Sequence, residues 1–238
     1  MAVVYTRRAT SLDSCEKSCN PFHECKQTWK LISSPTLNAS ANIALDESLL
    51  ESFNGTPLLR LYSWEPNSYT IGRFQKPEQI ADIGRFGDDW ARRMTGGGLL
   101  LHGFDLSYTV ILPISYLGSK SVKESYEYIC TFLINFYKEL GLDVVYAKDY
   151  MTRPKTQSTF CQAGFEAYDM IYDGKKLGGN AQRRTKNILF QHGSIPLRYD
   201  SREYSGYSLE EFGITLSEDK AKELLVKSFQ KTFAVILS

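Results

Sequence analysis

Apolar residues recur at helical spacing in three stretches of the chain and at strand spacing in most of the rest. "SANIALDESLLESF" (40–53) places Ala41, Ala44, Leu45, Leu49 and Phe53 on one helical face. "SVKESYEYICTFLINFYKELG" (121–141) is the clearest helix, with Val122, Tyr126, Ile129, Leu133, Tyr137 and Leu140 as its stripe and Gly141 as its stop. "DKAKELLVKSFQKTFAVIL" (219–237) predicts a closing helix. Between them, "PLLRLYSW" (57–64) and "SYTIGRF" (68–74) read as strands separated by the turn "EPN". "LSYTVILP" (106–113), "LDVVYA" (142–147) and "NILFQHGSIPL" (187–197) read as further strands. "EAYDMIYDGKKLGG" (166–179) alternates around Asp173-Gly174, a pair that favours a two-residue hairpin. Hairpins mixed with helices predict an α+β fold with a mainly antiparallel sheet, because a parallel sheet would need strictly alternating crossovers.

From Trp29 onward these signals alternate densely, with no linker and no internal repeat. The reading is therefore one domain over 29–238 preceded by an extension over 1–28. A 42% hydrophobic content in 238 residues supplies a sizeable core. A net charge of +1 argues against a strong, sequence-independent grip on nucleic acid. Nothing approaches the ~18 consecutive apolar residues of a membrane helix. The start, "MAVVYTRRATSLDSC", is a poor secretory signal, so a reducing cytoplasmic setting is expected. There the five cysteines are thiols, metal ligands or a nucleophile before they are disulfides.

Three stretches could carry chemistry. "ARRMTGGGLLLHGF" (91–104) places two arginines and three glycines ahead of a strand. It is either a glycine-rich turn with Arg92 and Arg93 solvated, or a cradle whose backbone N–H groups face an anion or acyl carbonyl. It is neither a P-loop nor a dinucleotide fingerprint, since GK[ST] and GxGxxG are both missing. "DGKKLGGNAQRR" (173–184) again sets backbone donors beside a cation. Alternation aims Lys176 inward, where a lysine needs an anionic or carbonyl partner, and leaves Lys175 on the surface. "STFCQAGFEAYDM" (158–170) holds Cys161 in a polar loop near basic residues, a setting that favours a thiolate. Cys130, beside its helix's apolar stripe, reads as core. In the extension, Cys15, Cys19, His23 and Cys25 suit tetrahedral zinc by type. Their C-x₃-C-x₃-H-x-C spacing matches none of the common zinc signatures, so no metal site is assigned.

Together these stretches resemble the catalytic domain shared by lipoate–protein ligases, lipoyl-pathway octanoyltransferases and biotin ligases. Arg92, Arg93, Thr95, Gly96, Gly97, Gly98 and His102 are similar to the family's arginine-arginine-x-threonine-glycine-glycine motif and its downstream histidine. "SWEPNSYTIGRFQKPEQ" (63–79) resembles its tryptophan strand and "GxFQ" turn, and "GKKLGGNAQRR…QHGSIPL" its lysine-x-x-glycine-x-alanine signature and "HG" strand. The likeness runs over 29–197 and more loosely to the end. Cys161 precedes Lys176 by the fifteen positions found in octanoyltransferases of the LipM type.

The resemblance implies an α+β, mainly antiparallel mixed sheet flanked by helices. It implies an acyltransferase that takes octanoyl from acyl carrier protein through a Cys161 thioester to the lysine of a lipoyl domain. Glycine cleavage H protein and dehydrogenase E2 subunits are acceptors of that kind; nucleic acid and membrane are not expected partners. No cofactor is implied, whereas the alternative, a lipoate–protein ligase, would use ATP and Mg. Lys176 would hold the acyl carbonyl with Gly178, Gly179, Asn180 and Ala181 beside it. Gly96, Gly97 and Gly98 would line the acyl tunnel, and Arg93 would sit near the carrier's phosphate-bearing arm. His102 and His192 are candidate proton carriers, with a hydrogen-bonded structural role as His192's alternative.

Overall fold

Residues 26–150, 166–200, 202 and 207–238 are described by a computed structural model. The chain opens with β1 (Thr28–Ser33), α1 (Ala39–Glu51), β2 (Leu58–Tyr62) and β3 (Tyr69–Ile71). It continues through β4 (Trp90–Arg92), β5 (Leu100–Leu101) and the long β6 (Asp105–Pro113) to α2 (Val122–Glu139). The short strands β7 (Val145–Tyr146), β8 (Met170–Tyr172) and β9 (Lys175–Lys176) follow. The chain ends with β10 (Gly179–Arg184), β11 (Ile188–Pro196), α3 (Glu218–Phe233) and β12 (Ile236–Leu237).

A six-stranded sheet in the order β10-β11-β6-β2-β1-β12 organises the molecule. It is antiparallel from β10 to β2, and parallel where β1 pairs with β2 and β12. The α+β expectation holds. Two three-stranded sheets, β4-β3-β5 and β7-β8-β9, stand beside it.

The two faces of the large sheet differ because side chains alternate along each strand. Leu59, Leu61, Leu106, Tyr108, Val110, Leu112, Leu189 and Ile195 form one buried cluster with Phe132, Leu133 and Phe136 of α2 and Leu225 and Phe229 of α3. The intervening positions include Arg60, Tyr62, Ser107, Thr109, His192 and Ser194, all buried and nearly all polar. Leu58, Ile111 and Phe190 lie on the same face and pack against Leu49 and Leu50 of α1 and Phe53 just after it, so only its polar part needs hydrogen-bond partners.

Most predicted elements are present, and the departures have physical reasons. The first helix buries the expected face only in part: Leu49 and Phe53 pack against the sheet, but Ala44 is exposed, and Ala39, Asn42, Ile43 and Asp46 are buried. Asn42 and Asp46 receive the Arg60 guanidinium of β2, so the stripe against the sheet is half polar. In α2, Ile129, Leu133 and Tyr137 are buried as expected, but Val122 is 52% exposed while Phe132 and Phe136 join the core. The helix is covered by both the sheet and α3, which widens its buried face. The closing helix stops at Phe233, after which Ile236 and Leu237 pair with β1. The strands on either side of "EPN" lie in different sheets, with Asn67 at φ 66°. Asp173 and Gly174, at φ 49° and 72°, make the expected hairpin.

Among the described residues no helix is long and apolar enough to cross a membrane. Nor do those residues hold a group of three or more His, Cys, Asp or Glu that could bind a metal. Cys161 and the Cys15, Cys19, His23, Cys25 cluster lie outside the described residues. Cys130 is core: fully buried, its thiol is pushed up to about 12, chiefly by burial.

Candidate active site

The polar part of the large sheet's face floors a small cleft. Tyr62, Trp64, Ser107, His102, Arg93 and Leu100 line one part of it, and Gly179, Asn180, Ala181, His192 and Gly193 the other. Of the residues singled out in the sequence, Arg93, His102, Gly179, Asn180, Ala181 and His192 therefore meet in one place.

The glycine loop is held shut by the arginines before it. Buried Arg93 donates to the carbonyl and hydroxyl oxygens of Thr70 at 3.0 and 2.7 Å, and to the carbonyls of Gly96 and Gly98 at 3.3 and 2.6 Å. Arg92 donates to the carbonyls of Gly72, Arg73 and Gln75. Their charge thus shapes the backbone of two adjoining loops. At Gly72 a Cβ would overlap the Gly97 carbonyl oxygen, so the loops approach as closely as they do only because residue 72 is glycine.

His102 is fixed on every side. Its Nδ1 lies 3.0 Å from Asp105 Oδ2, its Nε2 lies 2.9 Å from Thr70 Oγ1, and its ring stacks on Trp64 with centroids 3.8 Å apart. Because the Asp105 carboxylate only accepts, Nδ1 carries the imidazole proton toward it, and Nε2 of the neutral ring accepts from the Thr70 hydroxyl. Burial pulls His102 below the usual imidazole range. Burial also raises the Asp105 carboxyl, but His102 and hydrogen bonds from Ser194 and Ser107 outweigh it, leaving Asp105 below its usual range.

His192 shares the cleft wall from β11. Its Nε2 lies 2.7 Å from Thr95 Oγ1, and its Nδ1 lies 3.9 Å from Asp46 Oδ2. Burial lowers its pKa against the opposing pull of Asp46. Both depressed histidines must gain a proton on unfolding below pH 6.5, so the native state loses stability as pH falls from there. Each should add a slope approaching about 1.4 kcal/mol per pH unit. Urea unfolding at pH 7.5 and 5.5 should show this loss, and His192→Asn should flatten it; an unchanged slope in the variant would exclude His192 as a source.

Lys176 does point inward. It is 2% exposed and its Nζ lies 2.6 Å from Asp169 Oδ2. Asp169 is a partner the sequence reading missed, although strand alternation contained the signal. Lys176 pairs in register with Ile171, and Asp169 lies two positions before Ile171, on the same side of the strand. A Cβ built on Gly179 would lie 3.6 Å from Lys176 Nζ, which sets the ammonium directly behind the cleft wall. Gly178, at φ +120°, has no room for a Cβ against the Ser194 carbonyl oxygen. Beside them, Asn180 Oδ1 accepts from the Tyr108 hydroxyl at 2.8 Å, while its buried Nδ2 has no partner among the described residues. Lys175 is half-buried, its Nζ 4.5 Å from the Tyr207 ring centre.

The arrangement places the Asn180 amide at one end of the cleft and the buried Lys176 ammonium just behind its Gly179 wall. Asp46 and Arg60, which brace the floor, carried no visible signal beyond being charged residues in otherwise apolar elements.

The family model described as lipoyl protein ligase A/B catalytic domain matches residues 38–232. Octanoyltransferase LipM of Geobacillus kaustophilus is 33% identical over 223 residues, covering 89% of this chain and 78% of that protein. Octanoyltransferase LipM of Kyrpidia tusciae is 35% identical over 185 residues, covering 73% and 68%. Among solved structures, a lipoate-protein ligase A bound with ATP superposes with a TM-score of 0.73 at 22% identity, covering 89% of this chain and 87% of that one. At that identity the likeness is one of fold.

Proposed function

Because the chain belongs to the lipoyl protein ligase A/B catalytic-domain family, we infer that it is an acyltransferase moving an octanoyl group in the synthesis of protein-bound lipoyl groups. The observation that carries this reading is the 33% identity to an octanoyltransferase over most of the chain. The cleft supports it, since Arg93, His102, Gly179, Asn180 and Ala181, drawn from two of the shared motifs, meet there.

In the mechanism we favour, the Cys161 thiolate attacks the thioester carbonyl of octanoyl-acyl carrier protein. The carbon–sulfur bond to the carrier breaks, and the carrier leaves as a thiolate that takes up a proton. The ε-amine of a lipoyl-domain lysine then attacks the Cys161 thioester. An amide forms, the amine's proton is lost, and the Cys161 thiolate returns. During both additions the carbonyl oxygen becomes an oxyanion. Lys176, paired with Asp169 behind Gly179, and the Asn180 Nδ2, which has no partner among the described residues, are the donors assigned to receive it. Arg93, His102 and His192 keep the cleft's shape; both His102 nitrogens already face partners, so that histidine acts as wall and not as base. No cofactor enters this sequence of steps. The cytoplasm is the compartment in which a catalytic thiol stays reduced.

The purified protein, mixed with octanoyl-acyl carrier protein and no ATP, should gain the mass of one octanoyl group. Hydroxylamine should remove it, as it does a thioester. Absence of the adduct, together with ATP-dependent attachment of free lipoate to a lipoyl domain, would replace transfer with ligation.

A further inference from the structure

Among the described residues, Phe74 is the large apolar side chain left most exposed, with 82% of its surface open. A lone exposed ring is ordinary on a protein surface. Its surroundings here are not. The loop that carries it is fixed: Gly72 N–H donates to Gln75 Oε1 at 2.9 Å, and the Arg92 guanidinium gathers the carbonyls of Gly72, Arg73 and Gln75. Only Thr95 separates this loop from the cleft wall. Arg73 N–H donates to the Thr95 carbonyl at 2.8 Å, and the Thr95 hydroxyl lies 2.7 Å from Nε2 of His192, which lines the cleft.

The loop is also cationic. Residues 73–79 hold Arg73 and Lys76 against a single carboxylate, Glu78, and Arg92 adds a third cation. None of these three cations has an ion pair among the described residues. Elsewhere, Lys148, Lys176, Lys220, Lys222 and Lys231 each meet a carboxylate. The Arg73 guanidinium lies 5.7 Å from the Phe74 ring centre, so apolar surface and uncompensated charge are presented together. Aromatic rings and arginine are enriched where proteins meet.

We propose that the Phe74 loop is the docking surface for the acyl carrier protein. The ring enters an apolar hollow on an acidic face, and Arg73, Lys76 and Arg92 meet that face's carboxylates. This rests on the acyl-transfer reading above and adds to it where the donor protein binds. Transfer brings two proteins to one cleft, and their charges choose between them. The carrier presents octanoyl on an arm bearing a phosphate, whereas a lipoyl domain presents a lysine ammonium. Unpaired cations beside the cleft attract the first arm and repel the second.

Two variants of the full chain test this: Phe74→Ala, and Arg73→Glu combined with Lys76→Glu. All three side chains are exposed, so both variants should melt at the wild-type temperature. Binding of octanoyl-carrier protein, followed by fluorescence anisotropy, should weaken by about tenfold in each. The charge reversal should also remove the loss of affinity that added salt causes in the wild type. In transfer, KM for the carrier thioester should rise by the same factor with kcat unchanged. Octanoyl-N-acetylcysteamine, an uncharged thioester with neither protein nor phosphate, should be turned over equally by all three proteins. Carrier binding unchanged in both folded variants overturns the proposal and leaves the transfer reading standing. So does a rise in KM for the lipoyl domain with carrier binding intact, which would give the loop to the acceptor. Carrier binding that depends on the loop, with neither thioester acylating the protein, would sustain the docking surface and overturn the transfer reading.

Discussion

Replacing Lys176 by alanine should slow octanoyl transfer by about 10²–10³-fold and destabilise the protein as well. The rate effect is that of removing one oxyanion donor from a preorganised site. The stability effect follows from burial: Lys176 and Asp169 are both almost wholly enclosed, 2.6 Å apart, and deleting the lysine strands the carboxylate. Breaking one side of a buried pair typically costs about 3–5 kcal/mol. Asp169 already titrates at about 6, above its usual 3.8, because burial outweighs the attraction of Lys176. Its folded form thus binds the proton more tightly than the unfolded chain does, and its contribution to stability declines as pH rises from about 4 to 6. Without Lys176 that decline should extend to higher pH. Adding Asp169→Asn to Lys176→Ala should restore much of the stability and none of the rate, as urea unfolding and transfer assays on the same samples would reveal. Lys175→Ala should leave transfer nearly unchanged, since that side chain lies over Tyr207 and Phe212. Equal rate losses from the two lysine substitutions would show that the site is built on a different cation.

Substituting Arg60 with methionine should lower unfolding free energy by about 3–5 kcal/mol. Arg60 is fully buried, donating to Asp46 and Asn42 at 2.6 Å each and to Ser34 at 2.9 Å, with its guanidinium 3.9 Å from the Tyr62 ring centre. Methionine keeps the apolar stem but lacks the guanidinium, and so leaves Asp46 enclosed without its counter-charge. Asp46 also accepts from Tyr62 and Thr109 and faces His192, so its loss of a counter-charge should reach the cleft floor. Lys220→Ala offers a contrast: its ion pair with Glu223 is largely exposed and should be worth less than about 1 kcal/mol. Denaturant midpoints for the two variants should differ widely, and a small shift for Arg60→Met would mean that Asp46 finds water or a proton instead.

The cleft's wall residues were readable because their chemistry is unusual for their elements. A lysine required by alternation to face inward, and three glycines just after a pair of arginines, are odd enough locally to be noticed. The same local oddness did not attach to Asp46 and Asn42. They occupy a helix whose leucines and alanines offered a plausible apolar face, and only the presence of Arg60 on a strand across from them turns the polar stripe inward.

What the sequence determined by itself was therefore whatever depends on near neighbours: the helices and strands with their periods, the Asp173-Gly174 hairpin, the inward lysine, and the ordered motifs shared with a family of acyl ligases and transferases. Tertiary structure alone decided which strands pair, that the chain after Phe233 turns back to join β1, and that Arg93 closes a loop instead of meeting solvent. It also decided that His102 is locked between Asp105, Thr70 and Trp64 in the cleft wall. Of these, Thr70 lies 32 positions and Trp64 38 positions from His102 in the chain. Local propensity acts over a few residues, whereas a buried polar group takes its partner from whichever segment the packed fold brings within hydrogen-bond reach.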